Sequence, residues 1–312
     1  MRLPIIRTLI VWLKRHSAPG FFKVPLYDII VFLIYEINGG VLIMRANAIA
    51  FSFFLSLFPA LLSLLAMFPL LEKYLLTYLP TGEDFESLLA NFQNQFQDVI
   101  PSGFFETISD VALNPRFGLL SLGFLLAIFF ASSGVVMVMD SFDKSYDQTF
   151  RQRSAITKRI IAIGLTFLFF ALVIISVILV VLGESILSSF FASRELGGLD
   201  TFLLNGARWI VVIGLYYLII TLIYRYGAST YQKFKMFSPG ASLATVLSLT
   251  SSVLFSYFVE QFDTYNKLYG SIGTIIVTML WIQINAFVLL VGFELNAAIA
   301  VNRDLKQSKT RK

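Results

Sequence analysis

The sequence predicts an all-α fold: a polytopic integral membrane protein with six transmembrane helices, joined by N-terminal and extracytoplasmic amphipathic helices. Three observations lead there. Apolar residues make up 57% of the 312 positions and the mean hydropathy is +0.78, well above the level of a water-coated domain. Charged residues make up 14%, against about a quarter in an average soluble chain, too few to cover a surface facing water. Finally, six runs contain no Lys, Arg, Asp or Glu, and a run of about 20 such residues crosses the hydrocarbon core.

From the N-terminus, residues 1–45 form a cytoplasmic segment. The apolar stretch 9–13 is short, is broken by Lys14, Arg15 and His16, and lacks a small-residue cleavage site, so it is not expected to be a cleaved signal peptide. Residues 24–44 are apolar but carry Asp28, Glu36, Asn38 and the pair Gly39-Gly40, a pattern expected of an amphipathic helix at the cytoplasmic interface. The six spans follow at 46–71, 117–139, 160–183, 209–224, 237–259 and 268–293 within a transmembrane domain of residues 46–300. The fourth is the shortest, and Arg208 and Arg225 at its ends are expected to snorkel outward. Residues 301–312 form a basic cytoplasmic tail.

Charge asymmetry sets the orientation. Nineteen of the 24 Lys and Arg residues fall before the first span, in the second-to-third and fourth-to-fifth connections, or in the tail. Lys73, Arg116, Arg194, Arg208 and Lys267 fall on the other side. By the positive-inside rule both termini are cytoplasmic, as an even number of spans requires. The outer connection 72–116 is acidic. Thr81-Gly82-Glu83-Asp84 resembles a capping box, and Phe85, Leu88, Leu89, Phe92, Phe96 and Val99 recur at helical spacing before Pro101. A second helix is expected to end at Asn114-Pro115.

Several chemistries are excluded by counting. The chain has no cysteine and one histidine, His16, which rules out disulfides, thiolate nucleophiles and a histidine-rich zinc site and leaves His16 as the one histidine a Ser-His-Asp relay would have to use. No phosphate-binding glycine loop or nucleophile elbow occurs, and no cofactor is implied. What remain are polar residues in the spans, which are costly in hydrocarbon and functional candidates by default. Glu294 lies near the inner end of the sixth span. Arg45, at the start of the first span, and Asp140, at the close of the second, fall at a similar depth, so the three are expected to form a buried ionic or hydrogen-bonded cluster. Gln283 and Asn285 lie mid-span about 200° apart on the helix, so one is expected to pack between helices and the other to line a polar cavity. Pro59 removes a backbone hydrogen bond within the first span and invites a bend. The small and hydroxyl residues of the fifth span suit close helix approach.

Four segments taken together resemble the YihY/BrkB family of bacterial inner-membrane proteins: the run Arg45 to Pro59, Ser238-Pro239-Gly240-Ala241, Tyr269-Gly270-Ser271-Ile272-Gly273 followed by Trp281, and Gly292-Phe293-Glu294-Leu295-Asn296-Ala297. The resemblance covers residues 24–301 in order. It marks Glu294, Pro59, Tyr269 and Gly270 as family-motif positions. Where members often carry Gly-Ala-Glu-Leu, this chain has Phe293, which keeps the acid and is expected to crowd its neighbour.

The resemblance implies a multi-pass protein of the bacterial inner membrane. Some members bear a ribonuclease name and others a virulence or serum-resistance description, and a role in moving lipid-like molecules has been suggested. The ribonuclease reading fails on chemistry, since the sequence offers neither a metal-ligand cluster nor a basic groove away from the membrane-facing loops. No nucleic-acid partner is expected. The Lys and Arg residues are expected to meet anionic lipid headgroups at the cytoplasmic face. The expected function is transport of a lipid or other amphiphile. The alternatives are a structural or scaffolding membrane protein and, third, an intramembrane hydrolase.

The orientation is testable because the chain has no cysteine. With Ser102→Cys and Ser308→Cys made separately, an impermeant thiol reagent added to intact cells is expected to label position 102 and spare 308; the reverse pattern inverts the topology.

Overall fold

The computed structural model describes residues 11–17, 20, 24–38, 40–74, 117–181, 198–260 and 271–310. The outer connection with its two expected helices, and the motif positions Tyr269 and Gly270, lie outside the described residues. Seven helices are followed here: α1 (Leu26–Asn38), α2 (Val41–Tyr74), α3 (Phe117–Ser141), α4 (Ala155–Val181), α5 (Gly198–Leu222), α6 (Pro239–Glu260) and α7 (Ser271–Thr310). The described residues hold no strand longer than an isolated bridge between Phe150 and Thr230.

Local chemistry accounts for several helix ends. α1 follows Pro25 and carries Asp28 in its first turn, where a negative charge opposes the helix dipole. Gly40 stands between α1 and α2 at φ 68°, a conformation that costs glycine nothing, and the two helices bend by 65° there. α4 starts after Ser154, whose hydroxyl accepts the Thr157 amide at 3.3 Å, an N-cap. α6 opens on Pro239, with the preceding Ser238 Oγ accepting the Ala241 amide at 3.3 Å. Proline suits a first helical position because its missing N–H would have no partner there. The end of α5 widens into one π turn, Ile223–Gly227.

Among the described residues, α3, α4, α5, α6 and α7 are each long and apolar enough to cross a membrane, and α1 with the first half of α2 makes a sixth if the bent pair counts as one. The fold is thus that of a polytopic all-α membrane protein. The expected first span, 46–71, lies within the 34 residues of α2, and Pro59 falls inside that helix. The tail does not break from the last span: α7 runs unbroken for 40 residues to Thr310, about 60 Å at 1.5 Å per residue and twice the hydrocarbon thickness.

Packing closes the six long helices into a ring. α2 packs on α3, α3 on α4, α4 on α5, α5 on α6, α6 on α7, and α7 back on α2, while α1 lies against α7. Outward side chains such as Ile160, Trp209, Ile210, Val253 and Leu254 are 61–71% exposed. An apolar outer surface of this kind needs lipid as its solvent.

The tightest joint in the ring is between α6 and α7. A Cβ on Gly240 would fall inside the carbonyl oxygen of Gly292, and a Cβ on Gly292 would lie 2.6 Å from both the Gly240 oxygen and Tyr224 Oη. With lipid tails as apolar as leucine, helices in a membrane associate through close packing, and only glycine permits this approach. Gly240→Ala or Gly292→Ala is therefore expected to lower stability by at least about 1–3 kcal/mol through overpacking. Gly164→Ala, which meets nothing within 4 Å, is expected to leave stability unchanged or raise it by up to about 1 kcal/mol through helix propensity. Thermal unfolding of the three variants in detergent checks the contrast.

Candidate functional site

Residues 292–294 of α7 each meet a different neighbour, because successive residues on a helix point about 100° apart. Gly292 meets α6. Phe293, fully buried, stacks on Phe142 at 4.0 Å between ring centroids and touches Phe150, Tyr224 and Phe234 at 6.2–6.3 Å. The expected crowding at this position is resolved by an aromatic pocket built for the ring. Glu294 turns to the loop between α3 and α4.

Glu294 has no solvent exposure. Its Oε1 lies 2.7 Å from Lys144 Nζ, and the same ammonium lies 3.0 Å from Glu36 Oε2 of α1. At 2.7 Å the ammonium and the carboxylate form a charge-assisted contact. Burial makes that attraction strong and the loss of either partner expensive. Nearby Tyr146 is held above the usual phenol range, first by burial and then by the negative charges of Glu36 and Glu294.

The expected trio of Arg45, Asp140 and Glu294 is therefore dispersed. Arg45 donates from Nη1 to the Ser141 carbonyl at 3.1 Å and stands close enough to act on the charge of Glu294, but the direct counter-ion is Lys144. Asp140 is exposed and pairs at 2.5 Å with Lys158, which also binds Asp143. The physical reason is rotation: Asp140 ends α3 on its outward side, whereas the chain beyond Ser141 folds back under the ring and carries Lys144 inward. Sequence reasoning counted Lys144 only as a loop charge and Glu36 only as a polar residue of the first helix. No local pattern marks their meeting.

Backbone contacts hold this loop in place. Arg151 N and Tyr231 N donate to the Ser229 and Thr149 carbonyls at 2.8 and 3.0 Å around the Phe150–Thr230 bridge. Arg153 donates to the carbonyls of Tyr226, Gly227 and Ala228 at 2.8–3.0 Å, serving the acceptors that a helix end leaves open. Arg225, at the end of the fourth span, donates to the Phe234 carbonyl at 2.8 Å.

The two mid-span amides part as their spacing requires. Gln283 Nε2 donates to Asn47 Oδ1 of α2 at 2.7 Å. Asn285 donates to the Trp281 carbonyl one turn back at 2.9 Å and borders a cavity of about 410 Å³ between α2, α5, α6 and α7. The wall is mainly apolar, with Phe53, Ile220 and Leu289 beside the hydroxyls of Ser56, Ser248 and Thr278. Tyr224, which the sequence did not single out, donates its hydroxyl to the Leu289 carbonyl at 2.6 Å. Among the described residues, no group of three His, Cys, Asp or Glu is placed to hold a metal ion.

A ring of apolar helices with buried charges at one end defines a polytopic membrane protein. The virulence factor BrkB family model matches residues 34–312, and the chain belongs to that family. A Bacillus subtilis protein whose name likens it to a ribonuclease, YfkH, is 32% identical over 264 residues, 84% of this chain and 91% of the relative. A UPF0761 membrane protein of Pseudoalteromonas translucida is 26% identical over 265 residues, covering 82% and 80%; one of Idiomarina loihiensis is 29% identical over 109 residues, 35% and 37%. No solved structure matches the chain.

The cluster makes a sharp expectation. Lys144→Met or Glu294→Leu alone strands a buried charge and is expected to cost roughly 3–5 kcal/mol, while the combined change is expected to recover much of the loss. Asp140→Asn, on the exposed pair, is expected to cost no more than about 1 kcal/mol. Denaturant or thermal unfolding in detergent checks all four, and additive losses at 144 and 294 would remove the pairing.

Proposed function

We propose that this chain is a transporter of a lipid or another amphiphile, lying in the bacterial inner membrane with both termini in the cytoplasm and performing no hydrolysis. The observation that carries the reading is the cavity beside Asn285. Its apolar wall suits an acyl chain, and its hydroxyls and one amide offer polar contacts in a region where lipid offers none. Beneath it, the Glu36, Lys144 and Glu294 cluster ties α1, the α3–α4 loop and α7 together, so a change in that charge balance acts on three elements that bound the inner end.

One observation favours a scaffolding protein without transport: both mid-span amides have partners, Gln283 across to α2 and Asn285 within its own helix. The two readings separate in reconstituted vesicles. Transport predicts that the wild-type chain speeds the exchange of a fluorescent short-chain phospholipid between leaflets, and that Ser248→Phe, which fills the cavity, slows it while the protein stays monodisperse. It also predicts that Asn285→Cys reacts with a small water-soluble thiol reagent faster than Ile276→Cys, an outward control 42% exposed. No exchange above empty vesicles, together with equal reactivity at 285 and 276, leaves the scaffold reading.

A further inference from the structure

Lys158 and Arg159 stand side by side in the second turn of α4, and their charges are met in different ways. Lys158 reaches the carboxylates of Asp140 and Asp143, each at 2.5 Å. Arg159 lies against α3 instead, where Nη1 donates to the hydroxyls of Ser133 at 2.9 Å and Ser132 at 3.1 Å, with the Phe129 carbonyl at 3.4 Å. The guanidinium carbon stands 4.6 Å from the centre of the Phe129 ring. Every one of these partners is neutral. Among the described residues no carboxylate pairs with Arg159.

The contacts hold the group by one nitrogen. Both serine hydroxyls donate their own protons to the Phe129 carbonyl, Ser132 at 3.0 Å and Ser133 at 2.7 Å, which leaves their lone pairs to accept from Arg159. The network therefore anchors Nη1, and the ring attracts the cation without neutralising it. Nε and Nη2 donate to no described residue. In a guanidinium those two nitrogens share an edge that carries two parallel N–H bonds, the fork that takes two oxygens of one phosphate or carboxylate.

The surroundings indicate where such oxygens come from. Arg159 is half-buried, but Ile156 and Ile160 beside it on α4 are 74% and 65% exposed, and Phe129 across the seam is 53% exposed. The guanidinium thus lies at the outer, apolar surface of the ring. It belongs to a residue five positions beyond the cap Ser154, about 7–8 Å along the helix axis, a depth at which apolar side chains meet the boundary between headgroups and acyl chains. Hydrocarbon offers a cation no acceptor, whereas the phosphate of a headgroup is an oxyanion present along the whole of that boundary.

We infer that the free fork of Arg159, on the seam between α3 and α4, is a binding site for phosphate, supplied by a phospholipid of the surrounding bilayer whose acyl chains lie along Phe129, Ile156 and Ile160. The site is on the outside of the ring, on helices other than the four that border the cavity beside Asn285, and it does not rest on transport.

The test uses the full-length chain in nonionic detergent. Binding of short-chain phosphatidylglycerol, of the diacylglycerol with the same chains and of inorganic phosphate is measured by native mass spectrometry and by the shift in unfolding temperature. The variants are Arg159→Gln, Arg159→Lys and Arg151→Gln, the last removing the charge of an exposed arginine outside the helix. Phosphatidylglycerol is expected to bind Arg159→Gln roughly tenfold more weakly than the wild type, with Arg159→Lys between them because a lysine keeps the charge and loses the fork. Arg151→Gln is expected to match the wild type, and diacylglycerol is expected to bind all four chains alike. Should Arg159→Gln fail to fold, the weaker binding expected of Arg159→Lys carries the comparison. Phosphatidylglycerol binding unchanged in the Arg159 variants, or weakened equally in Arg151→Gln, overturns the site. Binding of inorganic phosphate that depends on Arg159, with no such dependence for phosphatidylglycerol, overturns the lipid as its source.

Discussion

A carboxylate removed from solvent inside a membrane-crossing helix needs a counter-charge, and one end of the bundle is organised around supplying one to Glu294. The ammonium of Lys144 arrives from a loop, not from a neighbouring span, so that loop has to hold a fixed shape. The Phe150–Thr230 bridge, the Arg153 cap on the end of the π turn and the Thr149–Asp304 bond provide it. Glu36 shares the same ammonium, which draws the short helix α1 onto α7, where Val24 and Ile29 pack with Leu295, Ala298 and Ile299. One buried charge thereby recruits the short helix α1 and a loop into the bundle.

The residues on either side of Glu294 depend on that placement. With the carboxylate aimed at Lys144, helix geometry sends Phe293 into the aromatic group of Phe142, Phe150, Tyr224 and Phe234, and sends Gly292 against Gly240. A rotation of α7 that relieved any one contact would break the other two. Packing supplies most of the attraction between helices in lipid, and here a close glycine joint, an aromatic core and an ion pair fix the same helix about its own axis.

Fixing α7 also fixes what its sides face. The apolar cavity at Asn285 and a second cavity bordered by Asn296, Ile299 and Arg303 lie along one side of the helix, on either side of the joint at Gly292.

The sequence by itself determined the class. Runs without charge about 20 residues long leave no soluble alternative, and the helix is the secondary structure such runs form because lipid cannot satisfy an open backbone. It determined that Gln283 and Asn285 face different ways, since two residues on a helix always do. Its four motifs carried the family, and the one at 292–297 contained the acid on which that end of the bundle depends. It did not determine that Lys144 is the partner of Glu294 or that Asp140 belongs to Lys158. Equal depth in the membrane is readable from position along a helix, but which charges meet depends on helix rotation and on how a loop folds back. Those are set by contacts between residues as far apart in the chain as Lys144 and Glu294, and only the tertiary structure decides them.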